Sequence, residues 1–219
     1  MSLWIKICGN TSLADAQLAA EAGADAVGFV FAPSPRRVTA GHVAAIVSHL
    51  PPALERIGVF VEATFDEIAA TVGAARLTGV QLHWDAPGEL RAKLRARFGP
   101  KLRILGVVHF GDSTVETDAG VAADANVDAI LVDSRTASVV GGTGRSYDWT
   151  HAAKTFFENS AGRRPLIAAG GLTPENVAEA IVTLRPWGVD VVSSVEAAPG
   201  RKDPAKVRAF IANARAAKM

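Results

Sequence analysis

Short apolar runs alternate with longer Ala-rich segments of helical period from one end of this chain to the other, and nothing else in it restricts the fold as strongly. The runs are Leu3–Cys8, Ala26–Phe31, Ile57–Val61, Val80–His83, Ile104–His109, Ala129–Asp133, Leu166–Ala169 and Val191–Val195. They are strand-length and show little polar alternation, as strands of a parallel sheet covered on both faces do. Helix candidates fill the gaps near 12–22, 39–50, 64–76, 88–98, 114–125, 149–160, 174–185 and 203–217. Thr11 and Ser12 precede the first. Thr173-Pro174-Glu175 predicts a cap, a proline at the first helical position and an early acid for the seventh, and Asp203-Pro204 predicts the same start for the eighth. Gly23, Gly79 and Gly99 follow helical segments, as residues that end helices do.

Eight strand–helix units follow one another with no linker, low-complexity tract or charge block. They predict an α/β chain forming a single domain over residues 1–219, a closed (β/α)8 barrel of eight parallel strands. The alternative, an open doubly wound sheet, usually carries a glycine fingerprint after its first strand, and Cys8-Gly9-Asn10-Thr11 is not one. A chain of 219 residues is long enough for one sizeable core of this kind.

Charge and cysteine content bound the setting. The 23 basic and 22 acidic residues are interspersed and leave a net charge of +1, so neither nucleic acid nor an anionic membrane is expected as the main partner. A single cysteine cannot form an intramolecular disulfide, and no oxidising compartment is implied. The N-terminus enters a strand-like segment without a charged leader or apolar core, and no apolar stretch reaches the roughly 18 residues that span a bilayer. A soluble cytoplasmic protein, monomer or homodimer, is the expectation.

In such barrels the active site lies where the strands end. Period-two geometry puts Lys6 and Cys8 on one face of the first strand, Gln81 and His83 on one face of the fourth, and Leu131 and Asp133 on one face of the sixth. Polar side chains cannot face the apolar helix layer without partners, so Cys8, His83, His109, Asp133 and Lys6 are expected at the barrel mouth. There a thiol and a carboxyl from distant strands can act as general acid and general base on two faces of one substrate. Each residue also has a plainer reading. A free cysteine often serves as a small buried hydrophobe, Asp133 can cap a loop, and the two histidines can be hydrogen-bonded mouth residues.

The last two strand ends point to a phosphate. Gly170-Gly171 precedes the seventh helix, and Ser193-Ser194 lies in the eighth apolar run, with Gly200 beyond. Small residues let backbone N–H groups approach an anion, and the loops after strands seven and eight are the usual phosphate site of these barrels. Gly141-Gly142-Thr143-Gly144, after the sixth strand, reads as a loop over the site or as simple turn chemistry.

With these residues assembled, the chain resembles the phosphoribosylanthranilate isomerases of tryptophan biosynthesis. The resemblance is carried in order by Lys6-Ile7-Cys8-Gly9, Ser34-Pro35-Arg36, Val59-Phe60-Val61, Val80-Gln81-Leu82-His83, Val132-Asp133-Ser134, Gly141-Gly142-Thr143-Gly144, Gly170-Gly171-Leu172 and Pro174-Glu175-Asn176-Val177. It continues through Val195-Glu196 and Pro199-Gly200-Arg201-Lys202-Asp203, so it covers essentially the whole chain. It implies a cofactor-free and metal-free Amadori rearrangement of a small phosphorylated substrate. Asp133 matches the general acid, Cys8 the general base and Arg36 the residue that meets the anthranilate carboxylate. It implies substrate contacts at His83, Gly142, Gly170, Gly171, Ser193 and Ser194. The chain departs from the usual family pattern at Trp84, where glycine usually follows the strand-four histidine, at Ser193-Ser194-Val195, where Ser-Gly-Val is typical, and at Asn10.

Other readings remain. The histidine-pathway relative with the same chemistry is expected to carry Asp at the end of strand one, where this chain has Cys8. A pentulose-phosphate epimerase is expected to place metal-binding His and Asp on strands two and three, where Phe29–Phe31 and Val59–Val61 offer none. A barrel that binds sugar phosphates with another specificity, or without catalysis, is the third alternative.

Overall fold

A computed structural model of the chain describes residues 3–109, 119–133, 149–158 and 164–218. Eight parallel strands close into a barrel in sequence order: β1 Trp4–Ile7, β2 Ala26–Val30, β3 Glu55–Phe60, β4 Gly79–Leu82, β5 Arg103–His109, β6 Ala129–Asp133, β7 Leu166–Ala169 and β8 Gly188–Val191. The helices between them are α1 Leu13–Glu21, α2 Ala40–Val47, α3 Phe65–Ala74, α4 Gly88–Phe98, α5 Ala119–Ala123, α6 Trp149–Ala152, α7 Val177–Leu184 and α8 Pro204–Ala216, with α6 running on into a π-turn over Ala153–Phe157. Beyond β8 a small antiparallel hairpin, β9 Glu196–Ala198 and β10 Arg201–Lys202, folds over the strand ends.

Local chemistry explains most of the boundaries. Ser12, Thr39, Thr64 and Asp203 each accept a hydrogen bond from a backbone amide of the helix that follows, and Thr64 with Glu67 forms a reciprocal capping box. The start predicted at Thr173-Pro174 lies three residues early. Thr173 Oγ1 accepts from the Glu175 and Asn176 amides, Asn176 Oδ1 accepts from the Thr173 amide at 2.7 Å, and this closed turn delays α7 to Val177. Gly79 does not end a helix. It opens β4, where a Cβ would lie 2.9 Å from the Arg103 carbonyl oxygen, and the left-handed residue after α3 is Arg76. The eighth strand is Gly188–Val191, earlier than the predicted Val191–Val195, because Val192 leaves extended geometry at ψ −83° and Ser193–Val195 coils into a 3₁₀ turn.

Two cores result. Residues such as Ile5, Ile7, Phe29, Val80, Ile104, Val132 and Val189 face outward and pack under the helices. Trp4, Ala26, Ile57, Leu105, Ala129, Leu131 and Ile167 face inward and fill the barrel. Burying a large aliphatic side chain in either layer contributes about 1.5–3 kcal/mol.

The amino-terminal end of the barrel is laced by a repeating latch. Asp25, just before β2, accepts from the Ile5 amide of β1; Thr78, before β4, accepts from the Arg56 amide of β3; Asp128, before β6, accepts from the Ile104 amide of β5, each at 2.7 Å. Arg215 and Arg95 pair with Asp25 and Asp128 at 2.7 Å, and Arg103 grips Glu55 through two hydrogen bonds at 2.6 and 3.0 Å while lying over Trp187.

Candidate active site

The opposite end, where the strands stop, gathers Cys8, His83, His109 and Asp133, while Lys6, also expected at the mouth, lies beneath it inside the barrel. Cys8 follows β1 directly; its amide still donates to the Val191 carbonyl at 2.9 Å, and its side chain is 3% exposed. Gly28 on β2 makes room for it: a Cβ at Gly28 would overlap the Cys8 sulfur and lie 3.0 Å from its Cα. Burial pushes the Cys8 thiol pKa up, and the negative charge of Asp190 adds to that, against the opposing pull of the Lys6 ammonium.

Lys6 is wholly buried inside the barrel, with Nζ 2.8 Å from Asp190 Oδ1 and 3.0 Å from Gln81 Oε1. Burial alone would push the Lys6 pKa down; Asp190 and Cys8 outweigh it and hold the ammonium above its usual range. A buried charge needs such a partner, because its desolvation is otherwise uncompensated. Gln81 Nε2 lies 3.0 Å from His83 Nδ1. His83 Nε2 lies 3.9 Å from Asp133 Oδ2, and the His109 ring stands edge-on to the His83 ring, with centroids 5.5 Å apart. Asp133 is 3% exposed at the end of β6, in register with His109 on β5 and Ala169 on β7. Cys8 and Asp133 thus stand at one mouth with β7 and β8 between their strands.

Arg36, in the loop after β2, leans over the end of β1. A Cβ at Gly9, which has φ +75°, would come 2.8 Å from Arg36 Cδ. Arg36 Nε and Nη2 donate to the two oxygens of Glu196 at 2.8 and 2.6 Å, a bidentate pair that fixes the guanidinium plane. Glu196 also accepts from the Gly200 amide at 3.2 Å and from Lys202 Nζ at 3.3 Å. Burial pushes the Glu196 pKa up, but the bonds to Arg36 and Gly200 and the charge of Lys202 more than offset it and hold the carboxylate below its usual range. Lys202, itself buried, donates to the carbonyls of Cys8 at 2.6 Å and Val192 at 3.2 Å, tying the ends of β1 and β8 to the hairpin.

After β7, Gly170 and Gly171 take φ +77° and +65°, a conformation that glycine adopts without strain. Asn176 Nδ2 donates to the Gly171 carbonyl at 3.0 Å and braces that turn. Ser194 Oγ donates to the Leu172 carbonyl, joining the loop after β7 to the 3₁₀ turn after β8. Ser193 belongs to the same turn. Gly142 and its neighbours lie outside the described residues.

Sequence reasoning therefore named the thiol, the carboxyl, His83, Arg36 and the two glycines. It missed the partners that hold them: Asp190, Glu196, Lys202, Asn176 and Gly28. Lys202 and Glu196 had a visible signal, since both stand in the Val195–Asp203 stretch that carries the resemblance.

The fold and this mouth define a barrel enzyme of the class that performs acid–base chemistry at the carboxyl ends of its strands. The family model for N-(5'phosphoribosyl)anthranilate (PRA) isomerase matches residues 5–213. An N-(5'-phosphoribosyl)anthranilate isomerase from Geotalea uraniireducens is 42% identical over 214 residues, covering 96% of this chain and 98% of the relative. A phosphoribosyl anthranilate isomerase structure from Thermotoga maritima superposes with a TM-score of 0.85 at 38% identity, covering 97% of this chain and 98% of its own. A further isomerase structure, in complex with reduced 1-(o-carboxyphenylamino)-1-deoxyribulose 5-phosphate, gives a TM-score of 0.81 at 36% identity, covering 97% and 98%. The chain belongs to the N-(5'-phosphoribosyl)anthranilate isomerase family.

Proposed function

We propose that this chain converts N-(5′-phosphoribosyl)anthranilate to 1-(2-carboxyphenylamino)-1-deoxyribulose 5-phosphate in tryptophan biosynthesis, with Asp133 as general acid and Cys8 as general base. The supporting observation is the mouth itself, where a family member brings a buried thiol beside a buried ammonium and sets a carboxyl beside an imidazole. Asp133 gives its proton to the ribose ring oxygen. The bond from that oxygen to C1′ breaks while the anthranilate nitrogen's lone pair forms C1′=N. Cys8, as thiolate, removes the C2′ proton, and the released electron pair forms C1′=C2′ as the iminium collapses to the neutral enolamine. The C2′ hydroxyl proton then leaves and C1′ gains one, giving the ketone. Every proton and electron pair is accounted for within the substrate and these two side chains, so the step calls for no external oxidant or reductant.

The substrate's two anions fit two ends of the mouth. Arg36, whose plane Glu196 sets, faces the anthranilate carboxylate, for which a planar guanidinium is suited. The phosphate lies between the Gly170-Gly171 turn and the Ser193-Ser194 turn, where chain without bulky side chains meets the end of two strands. His83 faces the substrate between them.

The test is rescue of a tryptophan auxotroph lacking this one step, paired with conversion of the purified substrate by the purified protein. Rescue with turnover supports the assignment. Phosphate-ligand binding without turnover would instead make the chain a non-catalytic sugar-phosphate barrel.

A further inference from the structure

The polar chain through the barrel carries more than structural support. Lys6 Nζ, as an ammonium, has donors and no acceptor. Of the two ends of the Gln81 amide, only Oε1 can face it, and Oε1 does so at 3.0 Å. The amide's other end, which only donates, is then turned toward β4's neighbouring side chain and meets His83 Nδ1 at 3.0 Å. A donor facing Nδ1 requires a lone pair there. The imidazole's single hydrogen must sit on Nε2, the nitrogen 3.9 Å from Asp133 Oδ2.

We propose that Lys6 and Gln81 are positioning residues that lock His83 as its neutral Nε2–H tautomer, with that hydrogen aimed at the Asp133 carboxyl. This rests on the functional reading above and adds how the acid is held. An Nε2–H donor directed at one oxygen of a carboxylic acid favours placing the acid's own proton on the other oxygen, ready for transfer. Apo contacts of this kind are often long and tighten when substrate fills the site. Among the described residues, the ionisable groups placed around the imidazole include Asp133 from β6, His109 from β5, and the Lys6–Asp190 pair reached through Gln81. A doubly protonated His83 would turn an N–H toward the Gln81 NH₂, so the chain opposes the imidazolium from that side. Because Asp190 keeps Lys6 charged, the direction of the chain is set from inside the barrel, away from substrate.

Long-range ¹H–¹⁵N correlation spectra of the intact protein, recorded at about pH 8, above the ordinary histidine pKa of about 6.5, separate the two tautomers and the imidazolium. The His83 signal is identified by its loss in His83→Gln. The expected result is Nε2–H in the wild type. Gln81→Glu supplies the second arm: a carboxylate accepts from both Lys6 and His83, so the proton moves to Nδ1. In that variant kcat falls between about 10-fold and 10⁴-fold, the range spanned by loss of acid–base assistance and by a wrong catalytic tautomer, while KM changes much less. A wild-type His83 protonated on Nδ1 or on both nitrogens overturns the proposal, whether or not Gln81→Glu folds. So does a Gln81→Glu variant that flips the tautomer yet keeps wild-type kcat. If the wild type carries Nε2–H but does not isomerise the substrate, the functional reading fails and the tautomer assignment stands.

Discussion

At the amino-terminal end of the barrel, Asp25, Thr78 and Asp128 turn back to cap amides of the preceding strand, and arginines close over the two aspartates. At the carboxyl-terminal end, charges are equally well paired, but the pairs terminate on groups with chemistry of their own: Lys6 beside Cys8, Glu196 beneath Arg36, His83 beside Asp133. The first set satisfies backbone and is repeated on β1/β2, β3/β4 and β5/β6. The second set is irregular and does not repeat from one strand pair to the next. Repetition marks the end that holds the barrel closed; irregularity marks the end that acts on a substrate. In barrel enzymes those two tasks divide in this way between the faces.

The strongest way to break that comparison is to remove the acid or the base. Cys8→Ala and Asp133→Asn are each expected to lower kcat by about 10²–10⁴-fold, the usual contribution of a general acid or base, while circular dichroism and thermal midpoint stay close to wild type. A folded Cys8→Ala protein with more than about a tenth of the wild-type rate would reduce Cys8 to a packing residue. The raised thiol pKa gives a sign for pH as well. The thiolate fraction grows as pH rises, so kcat/KM should climb through neutral pH on the limb that belongs to Cys8. In Cys8→Asp that limb should move to lower pH, because a carboxylate ionises at about 3.9 and a thiol at about 8.5 in the absence of perturbation. A limb that stays in place belongs to another group.

Arg36→Met comes next. It removes the guanidinium but leaves the Gly170-Gly171 and Ser193-Ser194 turns untouched, so KM should rise by about tenfold or more, as for loss of a charge-assisted bond. Inhibition by inorganic phosphate should hardly change. An equal loss of both would put Arg36 at the phosphate.

Asp128→Ala attacks the other face. It leaves the Ile104 amide unpaired and Arg95 without its carboxylate, and is expected to cost about 1–3 kcal/mol of stability with kcat unchanged. Denaturant unfolding beside an activity assay reads both. A large loss of kcat in a folded Asp128→Ala protein would mean that the two faces are not separable.

These residues also mark what could be read in the chain. Seven of the eight strands were legible because their apolar runs fall between helical segments whose starts carry capping residues such as Ser12 and Asp203, all local signals; the eighth was placed too late because its last apolar residues coil into the turn at Ser193–Val195. Gly79 was misread because a glycine after a helix and a glycine at a strand start look alike in sequence; only the nearby Arg103 carbonyl tells them apart. Cys8 and Asp133 were legible as polar ends of apolar runs. Their support was not. Lys6 meets Asp190 across 184 positions and Lys202 meets the Cys8 carbonyl across 194, and no local pattern encodes such pairs. The closed order of the barrel creates them by setting β8 beside β1.

The smallest effect separates two loops that serve the same proposed phosphate site. Gly171 holds φ +65°, where any other side chain is strained, so Gly171→Ala should lower phosphate affinity and stability together. Ser194 is different: it lies outside the left-handed region, so the serine standing where glycine is typical of the family carries no backbone strain. Its hydroxyl donates to the Leu172 carbonyl and links the two turns. Ser194→Ala removes only that link, whose net contribution is about 0.5–1.5 kcal/mol, and phosphate inhibition should weaken a few-fold at most with kcat preserved. Ser194→Gly should behave the same way. If Ser194→Ala instead abolishes phosphate inhibition while Gly171→Ala leaves it intact, the anion is held by the side chain after β8 and not by the backbone after β7.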